Sequence, residues 1–275
     1  MLRHTELSGT HDHLEQLPVR DLLEAMNEVD QTVPIAVKAA IPDLEKLVEA
    51  LVLQLQKGGR LFYLGAGTSG RLGIVDASEL PPTFGVPFDL AIGLIAGGDG
   101  AIRKAVEFAE DDEQQGFLDL KKYQVNANDF VIGIAASGTT PYVIGAMQAC
   151  RKENIPTGCI TCNPGAPLIQ AVDYPVVADT GPEFVTGSTR LKAGTAQKLM
   201  LNMISTTAMI RLGKVAGNKM VDMQLTNHKL WERAVRMVLE QMNCTEAEAL
   251  SALQSERSVR RAVLKLQENG RSAKA

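Results

Sequence analysis

Aromatic side chains are scarce. They make up 4% of the 275 residues, and Trp231 is the single tryptophan. Pyranose rings are often held by stacking on aromatic faces, so the scarcity weighs at first against a carbohydrate ligand. Cysteine is scarce as well, at four residues, which excludes a disulfide-built scaffold. Basic runs are missing: 28 Lys and Arg against 32 Asp and Glu give a net charge of -4. The electrostatic footprint of a nucleic-acid partner is therefore absent. The most apolar helical stretch, Leu47 to Leu55, is broken by Glu49 and Gln54, well short of the ~20 residues a membrane span needs. No apolar core follows Met1-Leu-Arg-His-Thr-Glu6, so no secretory signal is read there and a cytoplasmic location is expected. H-E-x-x-H, a nucleophile elbow and a P-loop are all lacking, which disfavours metal hydrolysis and serine-type acyl transfer. Neither a metal nor a cofactor is expected.

With 45% hydrophobic and 22% charged residues, the chain can bury a sizeable core. From Arg20 to Lys57 the apolar spacing is helical, with Pro34 and Pro42 near helix starts and Gly58-Gly59 as a stop. Short apolar runs then recur at Leu61 to Leu64, Leu90 to Ala96, Asp129 to Ala136, Thr157 to Cys162 and Tyr174 to Ala178. Helical stretches lie between them at Ala101 to Glu113, Tyr142 to Glu153 and Leu168 to Val172. Continuous apolar strands alternating with helices predict an α/β fold with a parallel sheet covered on both faces. Leu191 to Leu212 predicts a long, apolar and therefore buried helix. Charged amphipathic helices follow, with Thr245-Glu-Ala-Glu248 suited to a capping box. Cys159-Ile-Thr-Cys162 has the spacing of a redox or zinc pair, but no second pair accompanies it, and its context is a buried strand.

Chemistry concentrates at the strand ends. Gly65-Ala-Gly-Thr-Ser-Gly70 sits between a strand and a helix. It fits a dinucleotide fingerprint, with Asp99 the nearest acid, or a tight turn, or a phosphomonoester site built from hydroxyls and helix amides. Two further loops, Ala136-Ser-Gly-Thr-Thr140 and Thr186-Gly-Ser-Thr-Arg-Leu-Lys192, also precede helices. A dinucleotide fold has one such loop, whereas several favour a small polyhydroxylated phosphate ester. Each hydroxyl alone could be a helix cap. Glu79, in Asp76-Ala-Ser-Glu79-Leu-Pro-Pro82, follows the first loop by two to three helical turns, and the proline pair is expected to end its helix. Glu110 lies in the acidic run Glu107 to Glu113. Such runs are usually solvated faces, yet with His4, His11 and His13 in an N-terminal segment expected to be mobile, acid–base work falls to carboxylates.

Gly65-Ala-Gly-Thr-Ser-Gly-Arg-Leu-Gly73 and Asp76-Ala-Ser-Glu-Leu-Pro-Pro-Thr-Phe-Gly85 resemble the signature of the N-acetylmuramic acid 6-phosphate etherases. The resemblance continues through Gly133 to Gly138, Cys162-Asn-Pro-Gly165, Val185 to Lys198 and Gly217 to Asp222. These enzymes belong to the sugar isomerase (SIS) fold, in the branch that includes the glucokinase regulatory protein. The resemblance implies a three-layer sandwich with a five-stranded parallel sheet, divided into an N-terminal helical segment 1–58, an SIS domain 59–226 and a UBA-like helical region 227–275. It implies a homodimer, and release of D-lactate from N-acetylmuramic acid 6-phosphate during cell-wall amino-sugar recycling. It places the catalytic pair on Glu79 and Glu110, and the phosphate on Ser69, Ser137 and Thr140 with the amides of Gly67 and Gly138. Ser188 and Lys192 of the third loop complete the expected binding set. Thr139 stands where many relatives carry Arg, so weaker phosphate affinity, or support from Lys192, is expected. Ala275 precedes the family's usual C-terminal helix, so a shortened tail is also expected. A non-catalytic sugar-phosphate sensor and an aldose–ketose isomerase are the alternatives.

Overall fold

The structure, a computed structural model, describes residues 3–225 and 228–274. Five parallel strands form the sheet: β1 (Leu61–Gly65), β2 (Ala91–Ile95), β3 (Phe130–Ile134), β4 (Thr157–Thr161) and β5 (Tyr174–Val177), in the order β2-β1-β3-β4-β5. β1 pairs in register with both neighbours, Gly65 lying between Ile95 and Ile134. β1, β3 and β4 are buried along their whole length, as strands covered on both faces must be. The order reverses direction between β1 and β3. At such a switch point the two outgoing loops diverge and leave a crevice beyond the carboxyl ends of the strands.

Helices α1 (Val19–Asp30), α2 (Val33–Ala39) and α3 (Ile41–Gln56) precede the sheet, with Pro34 and Pro42 in the first turns of α2 and α3. Leu47 of α3 packs against Gly158 of β4. On the other face, α6 (Gln115–Lys122), α7 (Pro141–Lys152) and α8 (Pro167–Gln170) bury Leu120, Tyr142, Met147 and Leu168 against Phe62, Val131 and Cys159. At the opposite end of the strands from the crevice, Arg60 grips buried Asp129 through Nη2 at 2.8 Å and Nε at 3.1 Å. Cys150, Cys159 and Cys162 are buried, and burial pushes each thiol up to about 12. They pack as small apolar side chains.

Three expectations are corrected. The helix expected over Ala101 to Glu113 is broken: α5 (Gly100–Arg103) ends early, Phe108 turns left-handed at φ 60°, and only a 3-10 turn, Ala109–Asp111, follows. Asp112 explains the break, since its Oδ1 accepts from the amides of Gln114 and Gln115 and starts α6 afresh. Second, α4 (Gly67–Phe84) runs through Pro81 and Pro82 instead of ending there. The Gly85 amide closes its last turn on the Pro81 carbonyl at 2.9 Å. Third, the N-terminal segment is pinned. Thr5 is buried, its amide donates to Asn163 Oδ1 at 3.2 Å, and Asn163 Nδ2 donates to Thr5 Oγ1 at 3.0 Å.

Contacts divide the chain into two units, residues 1–78 with 89–208, and residues 79–88 with 209–275. The long helix α9 (Lys192–Arg211) buries Ala193, Ala196, Met200 and Ile204, yet leaves Met203 and Ile210 exposed. The apolar helix is thus covered on one side of its length. Within the second unit a hairpin, β6 (Val215–Ala216) with β7 (Lys219–Met220), precedes α10 (His228–Gln241), α11 (Glu246–Glu256) and α12 (Val259–Glu268). Met237, Val238, Leu253 and Leu266 form their common core. Thr245 closes the expected capping box, accepting from the Glu248 amide while Glu248 accepts from its own. The boundary expected between residues 226 and 227 falls on Thr226 and Asn227, outside the described residues.

Candidate active site

The first loop leaves β1 at the switch point. Gly67 opens α4 with φ 52°, a left-handed conformation natural to glycine, and lets the chain turn straight from strand into helix. The first amides of α4 have no helical acceptor, and a helix start of this kind suits an anion. Ser69 is buried here, and its Oγ donates to Gln197 Oε1 of α9 at 3.0 Å.

The second loop leaves β3 alongside. Gly138 is also left-handed, at φ 65°. Ser137 Oγ accepts from the Thr139 amide at 3.2 Å and from Thr139 Oγ1 at 3.0 Å. With its oxygen fed by two donors, the Ser137 proton is left to point elsewhere. Thr139 thus orients a neighbouring hydroxyl. Thr140 is the N-cap of α7 but makes no capping bond with its side chain, so its hydroxyl also stays available. Asn163 braces this loop from below, donating to the Ala136 carbonyl at 2.9 Å.

The third loop is held by a residue that the sequence did not mark. Glu183 is buried, and its two carboxylate oxygens accept from the amides of Lys192 at 2.8 Å and Ala193 at 3.0 Å. Burial raises its pKa, against the pull of those two amides. Lys192 places its ammonium on the Pro182 carbonyl at 3.0 Å. Ser188 is half-buried, its amide donating to Val185 at 2.9 Å. Nothing in the local pattern around Asp179-Thr-Gly-Pro-Glu183 signals a cap for a helix nine residues on.

Glu110 sits exposed in its 3-10 turn and lines a cavity of 220 Å³ with Ala66, Gly67, Arg71, Val106 and Phe108. Arg71 fixes the far wall, its Nε and Nη2 each donating at 2.7 Å to the Ile102 and Ala101 carbonyls. The cavity therefore joins the first loop to a carboxylate. Glu79, exposed on α4, belongs to the second unit. Asp76, one turn earlier, was also missed. Its half-buried carboxyl accepts from Tyr63 Oη and from Ser205 Oγ, both at 3.0 Å, and burial raises its pKa to about 6.

The turn carrying Glu110 rests on α7 through Gly145. A Cβ there would fall 1.9 Å from the Glu113 carbonyl oxygen. Gly145→Ala would ordinarily favour a helix by about 1 kcal/mol. Here it must displace the acidic turn, and a misplacement near 1 Å can cost about 100-fold in rate. The expected outcome is at least a tenfold fall in kcat with the sheet intact by circular dichroism. An unchanged kcat would show that the turn is not held at this contact.

Known proteins resemble this chain over most of its length. The chain is 55% identical to the N-acetylmuramic acid 6-phosphate etherase of Christiangramia forsetii, over 98% of its own length and 97% of the relative's. It is 56% identical to that of Aeromonas hydrophila, over 87% and 80%. The chain belongs to the N-acetylmuramic acid 6-phosphate etherase family. The glucokinase regulatory protein N-terminal SIS domain matches residues 43–151, the SIS domain 102–207, and the C-terminal lid domain of glucokinase regulatory protein 217–268. Among solved structures, a phosphoheptose isomerase from Francisella tularensis covers 70% of this chain and 100% of its own, with a TM-score of 0.56 at 18% identity. That likeness is one of fold. The chain thus carries the SIS fold that the resemblance implied. Among the described residues no helix is long and apolar enough to cross a membrane.

Proposed function

We propose that this protein cleaves the lactyl ether of N-acetylmuramic acid 6-phosphate, giving N-acetylglucosamine 6-phosphate and D-lactate. The observation that carries the reading is the cavity that reaches from Gly67 of the first loop to the Glu110 carboxylate. A phosphate held at the loops leaves the sugar carbons to extend toward an acid–base group. In this reading Ser69, Ser137 and Thr140 hold the phosphate with the Gly67 and Gly138 amides. Ser188 contributes from the third loop, and Lys192 acts indirectly, its ammonium engaged by Pro182.

The C3 ether is unactivated until the sugar ring opens. In the open chain C1 is an aldehyde, the C2 proton becomes acidic, and the ether oxygen stands β to the carbonyl. Glu110 takes the C2 proton, and the electron pair passes into an enolate. The enolate reforms the carbonyl as the C2–C3 double bond forms and the C3–O bond breaks, with Glu79 giving its proton to the departing lactate oxygen. Water then adds at C3 and a proton returns to C2. The products balance substrate plus one water.

A cytoplasmic homodimer belongs to the same reading. The exposed Met203 and Ile210 on α9 support it, since apolar side chains on an otherwise buried helix suit a subunit contact.

Incubating the protein with N-acetylmuramic acid 6-phosphate and assaying D-lactate tests the proposal. Stoichiometric lactate with N-acetylglucosamine 6-phosphate is expected. Tight binding without lactate would replace it by a sensor. Conversion of a hexose phosphate without lactate would replace it by an isomerase.

A further inference from the structure

Gln197 is fully buried on α9, and its amide lies against the first loop. Oε1 accepts the Ser69 Oγ proton at 3.0 Å, while Nε2 donates to no protein group among the described residues. A buried amide donor left idle is costly and calls for an explanation. Ser69, for its part, has a single proton, and it is committed to Gln197. A hydroxyl meant to hold an anion must point its proton at that anion. Ser137 already satisfies this condition, because Thr139 feeds its oxygen from the amide and the hydroxyl. Ser69 does not.

The two ends of a glutamine amide are close in size, and a half-turn about Cγ–Cδ exchanges them. After that turn Nε2 donates to Ser69 Oγ, and the Ser69 proton is released toward the crevice. We infer that Gln197 is a positioning residue for the phosphoryl group: its amide reverses when the anion enters and turns the Ser69 hydroxyl from a donor to protein into a donor to phosphate. Resting on the phosphosugar reading above, the inference gives the two loops one logic. Each serine oxygen is fed by a neighbouring donor, Thr139 for Ser137 and Gln197 for Ser69, so that each serine proton faces the ligand.

The test reads binding of N-acetylglucosamine 6-phosphate by calorimetry, with inorganic phosphate as a second probe. Gln197→Leu removes the donor and should weaken both probes by about 10- to 100-fold, the range for a hydrogen bond to a charged group. Gln197→Met keeps the length of the side chain without its amide, so it should lose as much; it also carries the test should the leucine variant fail to fold. Ser69→Ala should weaken binding by a similar factor, and Ser69→Ala with Gln197→Leu should be no weaker than Ser69→Ala alone, because both act through one hydroxyl. A merely structural glutamine would lower the unfolding temperature and multiply with the serine loss. Multiplying losses, wild-type affinity in both glutamine variants, or a wild type that binds neither probe would overturn the inference. Binding is read separately from turnover. A protein that shows this coupling but releases no lactate overturns the etherase reading alone, and lactate release with affinity independent of Gln197 overturns the inference alone.

Discussion

Glu110→Gln should abolish both lactate release and exchange of the C2 proton, lowering turnover by roughly 10²- to 10⁴-fold, the range for loss of a general base. The amide keeps the shape of the side chain in its turn beside Phe108 and Arg71, so substrate affinity should change far less than rate. Glu79→Ala should behave differently. It removes the proton donor to lactate but leaves the base, so the C2 proton should still exchange with deuterium oxide, followed by NMR, while lactate release is lost. The contrast follows from the order of events, in which C2 ionises before C3–O breaks. If Glu79→Ala blocks exchange as fully as Glu110→Gln does, or if both variants retain both reactions, the division of roles is wrong.

A large effect of another kind is expected at Asp76. Burial holds this carboxyl at about 6, above the ordinary aspartate value. The sign follows directly: below about pH 4 the group is protonated in both folded and unfolded chains and costs nothing. Between about pH 4 and 6 the unfolded chain ionises first, so stability falls as pH rises, and above 6 the whole cost is present. At about 1.4 kcal/mol per pH unit of difference this amounts to roughly 3 kcal/mol. The groups around it are Tyr63 and Ser205, with Lys198 drawing the value down. Asp76→Asn can still accept from Tyr63 and can donate to Ser205. It should therefore remove the pH-dependent loss and unfold at a higher temperature than the wild type at pH 7.5. Near pH 4 the two should converge. Parallel unfolding curves across pH 4 to 8 would mean that the carboxyl is not held in this way.

The sheet was legible because its signal is local. Runs such as Phe130–Ile134 are apolar at every position, and helix starts such as Pro141 carry their own markers. The hydroxyl loops were legible as strand-to-helix turns for the same reason, their glycines and hydroxyls standing directly after apolar runs. What escaped depends on partners far along the chain. Asn163 reaches Thr5 across 158 residues, and Ser205 reaches Asp76 across 129. Pattern within one segment carries no trace of either. The acidic run Glu107 to Glu113 misled for a third reason. Its composition suits a helix face, but the Asp112 side chain offers the backbone a competing acceptor, and one hydrogen-bonding choice divides the segment.

The buried thiols have a practical side. Cys150, Cys159 and Cys162 are closed off inside the sheet unit, and Cys244, between α10 and α11, is the one cysteine among the described residues that is partly exposed. A maleimide dye added to the native protein should therefore settle on a single address without any engineered background. Its emission would report on the C-terminal helices alone, giving a view of that unit while the sheet and its loops are titrated with sugar phosphate.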